Sequence, residues 1–186
     1  MTSASNIAPK KPTVVAIAPE ILTTRTGFRF SVRPAVPLDE EALGAFFSHV
    51  TPDDLRFRFL SGIRTVGHDR LVAMTDIDHR QTENFLAFID DEAEIIATAM
   101  LACDAEMKTG EVAIVIRPEY KGKGVSWDLL HHVTAYAKAK GLTTIQSIED
   151  RSSHAAIDME REMGFVASSY PGDSTLVLVQ KNLAMP

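Results

Sequence analysis

Between Phe28 and Val32 apolar and polar side chains alternate, and the run ends at Arg33-Pro34; this period of two predicts a first strand. Asp39 then precedes Leu43, Phe46, Phe47 and Val50 at i, i+3, i+4 and i+7, which predicts a helix with one apolar face and an aspartate cap. Thr51-Pro52-Asp53-Asp54 predicts a fresh helix start, with Thr51 as cap and Pro52 as the first helical residue. A third helical piece is expected over 69–74. Three strands follow, over 85–89, 94–102 and 111–116. The acidic turn Asp90-Asp91-Glu92 and the turn Lys108-Thr109-Gly110 join them so tightly that antiparallel hairpins are expected.

After Ile116 the period changes. A glycine-bearing loop leads to a helix over 126–140 with Leu130, Val133 and Ala137 inward, and Gly141 stands where a C-terminal cap glycine belongs. A strand over 143–148, a helix over 153–163 carrying Ala156, Met159 and Met163 inward, and strands over 165–167 and 175–179 complete the pattern. The strand, helix and strand between 111 and 149 form a right-handed parallel unit. The expected fold class is therefore α/β (α+β): one domain over 28–186 whose mixed central sheet is antiparallel early and parallel in the middle, with flanking helices. Residues 1–27 are expected to be a flexible N-terminal tail. Its apolar run, Val14 to Ala18, is too short for a signal peptide and is flanked by Pro12 and Pro19.

Composition narrows the function classes. The 186 residues fit one domain, and 45% hydrophobic with 24% charged residues is ordinary for a soluble globular protein. A net charge of −6 argues against a nucleic-acid partner. No apolar stretch approaches the ~20 residues of a membrane helix, so no membrane partner is expected. Cys103 is the single cysteine, which excludes an intramolecular disulfide and a cysteine-built zinc site, and suits the reducing cytoplasm.

The segment from Glu111 to Ser126, EVAIVIRPEYKGKGVS, carries the most chemistry. Gly122 and Gly124 lie between a strand end and a helix start, where glycine lets backbone N–H groups converge on an anion. The helix start adds unpaired N–H groups and partial positive charge. Arg117, Lys121 and Lys123 stand against one acid, Glu119, so a phosphate or pyrophosphate suits the segment. The usual nucleotide loops are absent: there is no G-x-x-x-x-G-K-[ST], and Trp127 occupies the last glycine position of G-x-G-x-x-G. On spacing alone, a plain strand-to-helix turn with solvated lysines stays open beside the anion site.

Strand, RPEYKGKGVS and helix together resemble the acetyl-CoA-binding loop of the GNAT superfamily of N-acetyltransferases. That family's Gln/Arg-x-x-Gly-x-Gly/Ala pattern cradles the pyrophosphate of coenzyme A. Lys121, Gly124 and Ser126 fall on its defined positions, with lysine replacing Gln/Arg and serine replacing Gly/Ala. The run from Ser153 to Phe165 resembles the family's later helix and its Gly-Phe ending. Ser153 replaces the usual asparagine, and Glu160 stands where a tyrosine acid is frequent. Arg56-Phe57-Arg58-Phe59-Leu60-Ser61, Thr75-Asp76-Ile77-Asp78 and Ser147-Ile148-Glu149-Asp150-Arg151 resemble the acetyltransferase domain of bacterial Pat-type protein-lysine acetyltransferases. Some members fuse that domain to a synthetase-like region or a cyclic-nucleotide sensor, and a stand-alone domain is expected here.

The resemblance implies acetyl-CoA as cosubstrate, no metal, and direct attack of a neutral amine on the thioester. It implies that Lys121, Gly122, Lys123, Gly124, Val125, Ser126 and Ser153 bind the cofactor, while strand backbone at Ile114, Val115 and Ile116 pairs with the pantetheine amide and supplies the oxyanion donor. A lysine amine titrating near ~10.4 needs a base. Glu111 is the expected base, because similar Pat-type sequences carry glutamate there. Glu149, ending the neighbouring parallel strand, is the second catalytic candidate, for sharing the proton or fixing the amine, against a helix-capping or ion-pair role. Tyr120, Tyr136 and Tyr170 suit a thiolate acid by type, but none matches the family position.

Other clusters read as structure. Asp76, Asp78 and His79 suit a solvated loop, adjacent His131 and His132 point ~100° apart on a helix, and Cys103 suits a buried small hydrophobe. Phe46, Phe47, Phe57 and Phe59 are expected in the core and acceptor wall. Asp53, Asp54, Asp69, Asp76 and Asp78 suit a cationic acceptor. The expected function is acetyl transfer from acetyl-CoA to an amine, favouring a protein lysine. The alternatives are a small-molecule amine acetyltransferase and a non-catalytic acyl-CoA-binding regulatory module, and an oligomer is possible.

Overall fold

Alternation along the central strands sorts side chains onto two buried faces. A computed structural model describes residues 18–89 and 94–184, so the acidic turn at 90–92 lies outside the described residues. Its strands are β1 (Glu20–Thr23), β2 (Arg29–Pro34), β3 (Thr82–Ile89), β4 (Glu94–Cys103), β5 (Thr109–Ile116), β6 (Thr144–Asp150), β7 (Val166–Ser169) and β8 (Leu176–Asn182). Its α-helices are α1 (Glu40–Ser48), α2 (Pro52–Phe59), α3 (His68–Thr75), α4 (Val125–Ala139) and α5 (His154–Glu162). The strands form one sheet in the order β1-β2-β3-β4-β5-β6-β8-β7.

Along β3, Phe85 and Ala87 join the core built with Leu129, Leu130 and Val133 of α4. Leu86 and Phe88 join Leu43 and Phe46 of α1, Leu55 of α2 and Leu71 of α3 on the other face. Covered on both faces, β3 and β4 are near-continuous apolar runs. The hairpins pair antiparallel as expected, and β5 and β6 pair parallel around α4.

Several expectations change. Residues 20–23 are not tail but strand: Glu20 to Thr23 pair with Val32 to Arg29, and Leu22 packs against the core. Residues 1–17 lie outside the described residues. Asp39 does not cap α1 with its side chain. A bidentate guanidinium is the stronger partner, so its carboxylate takes Arg33 at 2.7 and 2.8 Å and the Val36 N–H at 2.8 Å. On α5, Ile157 and Glu160 are the buried residues, with Met159 and Met163 packed beside them, so the inward stripe is rotated from the expected one. Thr51 does cap α2, accepting the Asp54 N–H at 3.1 Å.

Candidate active site

The parallel strands part almost as soon as they meet. β5 and β6 pair only at Thr109, Gly110 and Glu111, opposite Thr144, Ile145 and Gln146. Beyond that, β5 stays with β4 as far as Ile116, while β6 stays with β8 as far as Asp150. The wedge between them leaves the β6-facing backbone of residues 112–116 without a sheet partner.

At the wide end the chain turns through Gly122 (φ +74°) and Gly124 (φ +89°) into α4. Both angles favour glycine, and a Cβ on Gly124 would stand 3.0 Å from the Cβ of Thr24. No side chain caps α4, so its first N–H groups face the wedge unpaired. The turn between β1 and β2 supports this loop, Thr26 Oγ1 donating to the Lys123 carbonyl at 2.9 Å.

The cationic character expected of the loop is largely matched from elsewhere in the fold. Arg117, 9% exposed, pairs with Glu94 and, at 3.2 Å, with Glu119. Lys121 Nζ lies 2.6 and 2.7 Å from the two oxygens of Asp54. Lys123 turns away over the rings of Phe28 and Tyr120, at 5.1 and 4.9 Å.

A cavity of about 460 Å³ fills the wedge, with Ile114, Ile116, Lys121, Gly122, Ser126 and Ser153 among its walls. Val115 lines it too; Lys123, Gly124 and Val125 do not. Gly124 and Val125 can therefore serve only through backbone N–H groups, since the Val125 side chain is 1% exposed and packed in the core. Ser153 Oγ is buried without a hydrogen-bond partner, a donor ready for a polar group in the cavity. Apolar strand walls, the uncapped helix start and this orphan hydroxyl fit a long ligand with an anionic end.

Glu160 was legible only as a departure from a family position, and the structure puts it on the cavity wall, 4% exposed. Its Oε1 accepts the Ser147 hydroxyl at 2.5 Å, and its Oε2 is buried without a partner. Burial pushes its carboxyl up to about 7, with the Ser147 bond opposing. The sequence signal was an acid three residues after Ile157 on an apolar stripe.

A second cavity, of about 260 Å³, opens on the other side of the wedge. Phe57, Phe59, Leu60 and Ile148 give it apolar walls, and Glu111 and Arg58 give it charge. Glu149 lines both cavities and stands where they adjoin. Burial, then Glu160, then Asp150 push its carboxyl up to about 8. Among the described residues the Glu149 carboxyl makes no hydrogen bond or ion pair. The pairing expected of it belongs to its neighbour Asp150, which accepts Arg56 at 2.6 Å and the Ser152 hydroxyl at 2.5 Å.

Of the remaining candidates, Asp54 lines the larger cavity, and Tyr120, Tyr136, Asp78, His79, His132 and Cys103 line neither. Tyr120 donates to Glu94 and Tyr136 to Glu83. Asp78 accepts three backbone N–H groups, and His79 pairs with Glu83. His132 pairs with Glu20 at 3.2 Å. Cys103 is half-buried, and burial pushes its thiol up, away from a nucleophile's range. Of the expected acidic wall, Asp54 is taken by Lys121 and Asp78 by its own turn.

Known proteins match this architecture. The profile of the family described as acetyltransferase (GNAT) matches residues 50–165. An acetyltransferase of Pseudomonas aeruginosa is 28% identical over 149 residues, covering 79% of this chain and 80% of that one. An amino-acid acetyltransferase of Pseudomonas fluorescens is 34% identical over 95 residues, which cover 50% of this chain and 21% of that enzyme. Among solved structures, the GNAT domain of S. lividans PAT superposes with a TM-score of 0.82 at 21% identity, over 88% of this chain and 96% of that one.

Proposed function

Since the chain belongs to the acetyltransferase (GNAT) family, we propose that the amine it acetylates is the side chain of a protein lysine. The enzyme is an acetyl-CoA-dependent N-acetyltransferase, and acetyl-CoA supplies an activated acetyl thioester when bound. What supports the lysine reading is the meeting of two unlike cavities at Glu149. The larger suits a cofactor, and the smaller offers apolar walls to a methylene stem and two glutamates to its ammonium.

The cofactor side uses Gly122 and the N–H groups that start α4, together with Lys121, Ser126 and Ser153, to hold and orient phosphates. Backbone N–H and C=O groups of Ile114 and Ile116 face the wedge, ready to bond an amide chain as an added strand would, whereas those of Val115 point to Thr98 of β4. A backbone N–H near Val115 and Ile116 stabilises the oxyanion.

On the acceptor side, the exposed Glu111 carboxylate takes the amine's proton, directly or through water. Glu149, titrating near about 8, carries a proton at neutral pH and is suited to return one to sulfur rather than to accept the first. Ser147 orients Glu160, which holds a second proton against the same cavity. We place the enzyme in the reducing cytoplasm on its single cysteine.

A free amino acid is a second reading, favoured by the likeness to amino-acid acetyltransferases over half of this chain. Incubation with acetyl-CoA and either folded lysine-bearing proteins or free amines, read by mass spectrometry, separates the two. Acetyl-lysine on proteins, absent when their lysines are dimethylated beforehand, supports the proposal. Turnover confined to free amines overturns it.

A further inference from the structure

The acceptor cavity contains a cation for which an amine alone has no use. Arg58 lines the same walls as Glu111 and Glu149. Its Nη2 reaches only the Met100 thioether, at 3.4 Å, and its Nε is buried without a hydrogen-bond partner. Among the described residues it makes no ion pair. Its guanidinium lies 4.9 Å over the Phe59 ring, and Arg70 lies 5.2 Å over the same ring, so a second cation is close by. Arg56, two residues earlier on the same helix, is matched by Asp150.

A half-buried guanidinium whose Nε has no partner, and which pairs with no carboxylate, is unfavourable unless a ligand completes it. Burial lowers the Arg58 pKa to about 10, Arg70 adds to that, and Glu111 acts in the opposite sense. A ligand bringing only an ammonium would meet Arg58 as a like charge. An acceptor that also carries an acid would meet opposite charge at both ends, its amine at Glu111 and its acid at Arg58.

We propose that Arg58 binds a carboxylate of the acceptor, so that the substrate class is an amine with an acid group within about one residue's length. An acidic residue beside the target lysine and the α-carboxylate of an amino acid both supply that chemistry. The inference rests on the amine-acceptor reading of this cavity and adds to it a second recognition element.

Matched acceptors that differ only in the acid test it. The pairs are Asp-Lys against Asn-Lys peptides, Nα-acetyl-lysine against its amide, and free amino acids against their amides. Each is measured with the native enzyme for binding by calorimetry in the presence of coenzyme A, and for acetylation rate. The acid-bearing member is expected to win by about tenfold or more in Kd and KM, with kcat little changed. Arg58→Gln is expected to erase that preference by weakening the acid-bearing member much more than the amide, and Arg58→Lys to keep part of it.

Equal binding of both members to the native enzyme, including no binding by either, overturns the inference. So does an Arg58→Gln protein that weakens both members alike. Acid preference among α-amines with no turnover of lysine peptides upholds Arg58 and removes the lysine reading. Lysine turnover without acid preference does the reverse.

Discussion

Lys121 Nζ is held 2.6 and 2.7 Å from the two carboxylate oxygens of Asp54, which ties the start of α2 to the loop that leads into α4. The pair is half open to solvent, with side-chain exposures of 49% and 15%, so it contributes on the order of 1 kcal/mol or less. A phosphate on the loop competes with Asp54 for the same ammonium. Asp54→Asn is therefore expected to tighten acetyl-CoA by no more than about fivefold, whereas Lys121→Met loosens it by about tenfold. Calorimetric titration measures both. Looser binding by Asp54→Asn would show instead that Asp54 holds Lys121 in its working position.

Stability should fall as the solution becomes alkaline. Glu149 and Glu160 keep their protons up to about 8 and about 7, against an ordinary glutamate value of 4.5. Between those limits the folded chain binds more protons than the unfolded one, so their contribution is complete below the ordinary value, declines as pH rises through the window and is gone above it. Melting temperatures from about pH 5 to about pH 9 should show this decline. Glu149→Gln and Glu160→Gln should each flatten it and raise the alkaline melting temperature. An unchanged slope in both variants would contradict the buried, proton-bearing state of these carboxyls.

Two glycines of one loop should respond differently to alanine. At Gly122, φ +74° leaves a Cβ in open space, so the cost is backbone strain of about 1 kcal/mol. At Gly124, φ +89° combines with a Cβ 3.0 Å from Thr24, so Thr24 must move as well. Gly124→Ala is expected to lose about 2–3 kcal/mol and to raise the KM for acetyl-CoA more than Gly122→Ala does. Denaturant melts and initial rates check the order.

Most of the fold was legible because its elements obey short periods. The Thr51 cap, the helix before Gly141 and the strands expected over 85–89, 94–102 and 111–116 are present, but β3 starts earlier, at Thr82. Thr109 and Gly110, expected as a turn, pair within β5, the chain turning instead over 104–108. β1 was not legible: it is four residues long, lies at the edge and turns only Leu22 against the core. Charge around the loop was misjudged for a different reason. The partners of Arg117 and Lys121, Glu94 and Asp54, come from distant parts of the chain, and no local count contains them.

Parity explains Glu149. Adjacent strand residues point to opposite faces, so the ion pair fell to Asp150 while Glu149 entered the wedge. Arg58 carried no signal in the sequence, since its isolation from carboxylates depends on how α2 lies against β4 and β5.

Deprotonation of the acceptor amine by Glu111 in the smaller cavity, with acetyl-CoA held in the larger one, is open to a single-substitution test. Glu111→Gln separates the two roles, because Glu111 lines the smaller cavity and not the larger. In this variant acetyl-CoA affinity by calorimetry is expected to be unchanged while the rate of acetyl transfer falls by about a hundredfold or more. Transfer at the native rate with native affinity would contradict it.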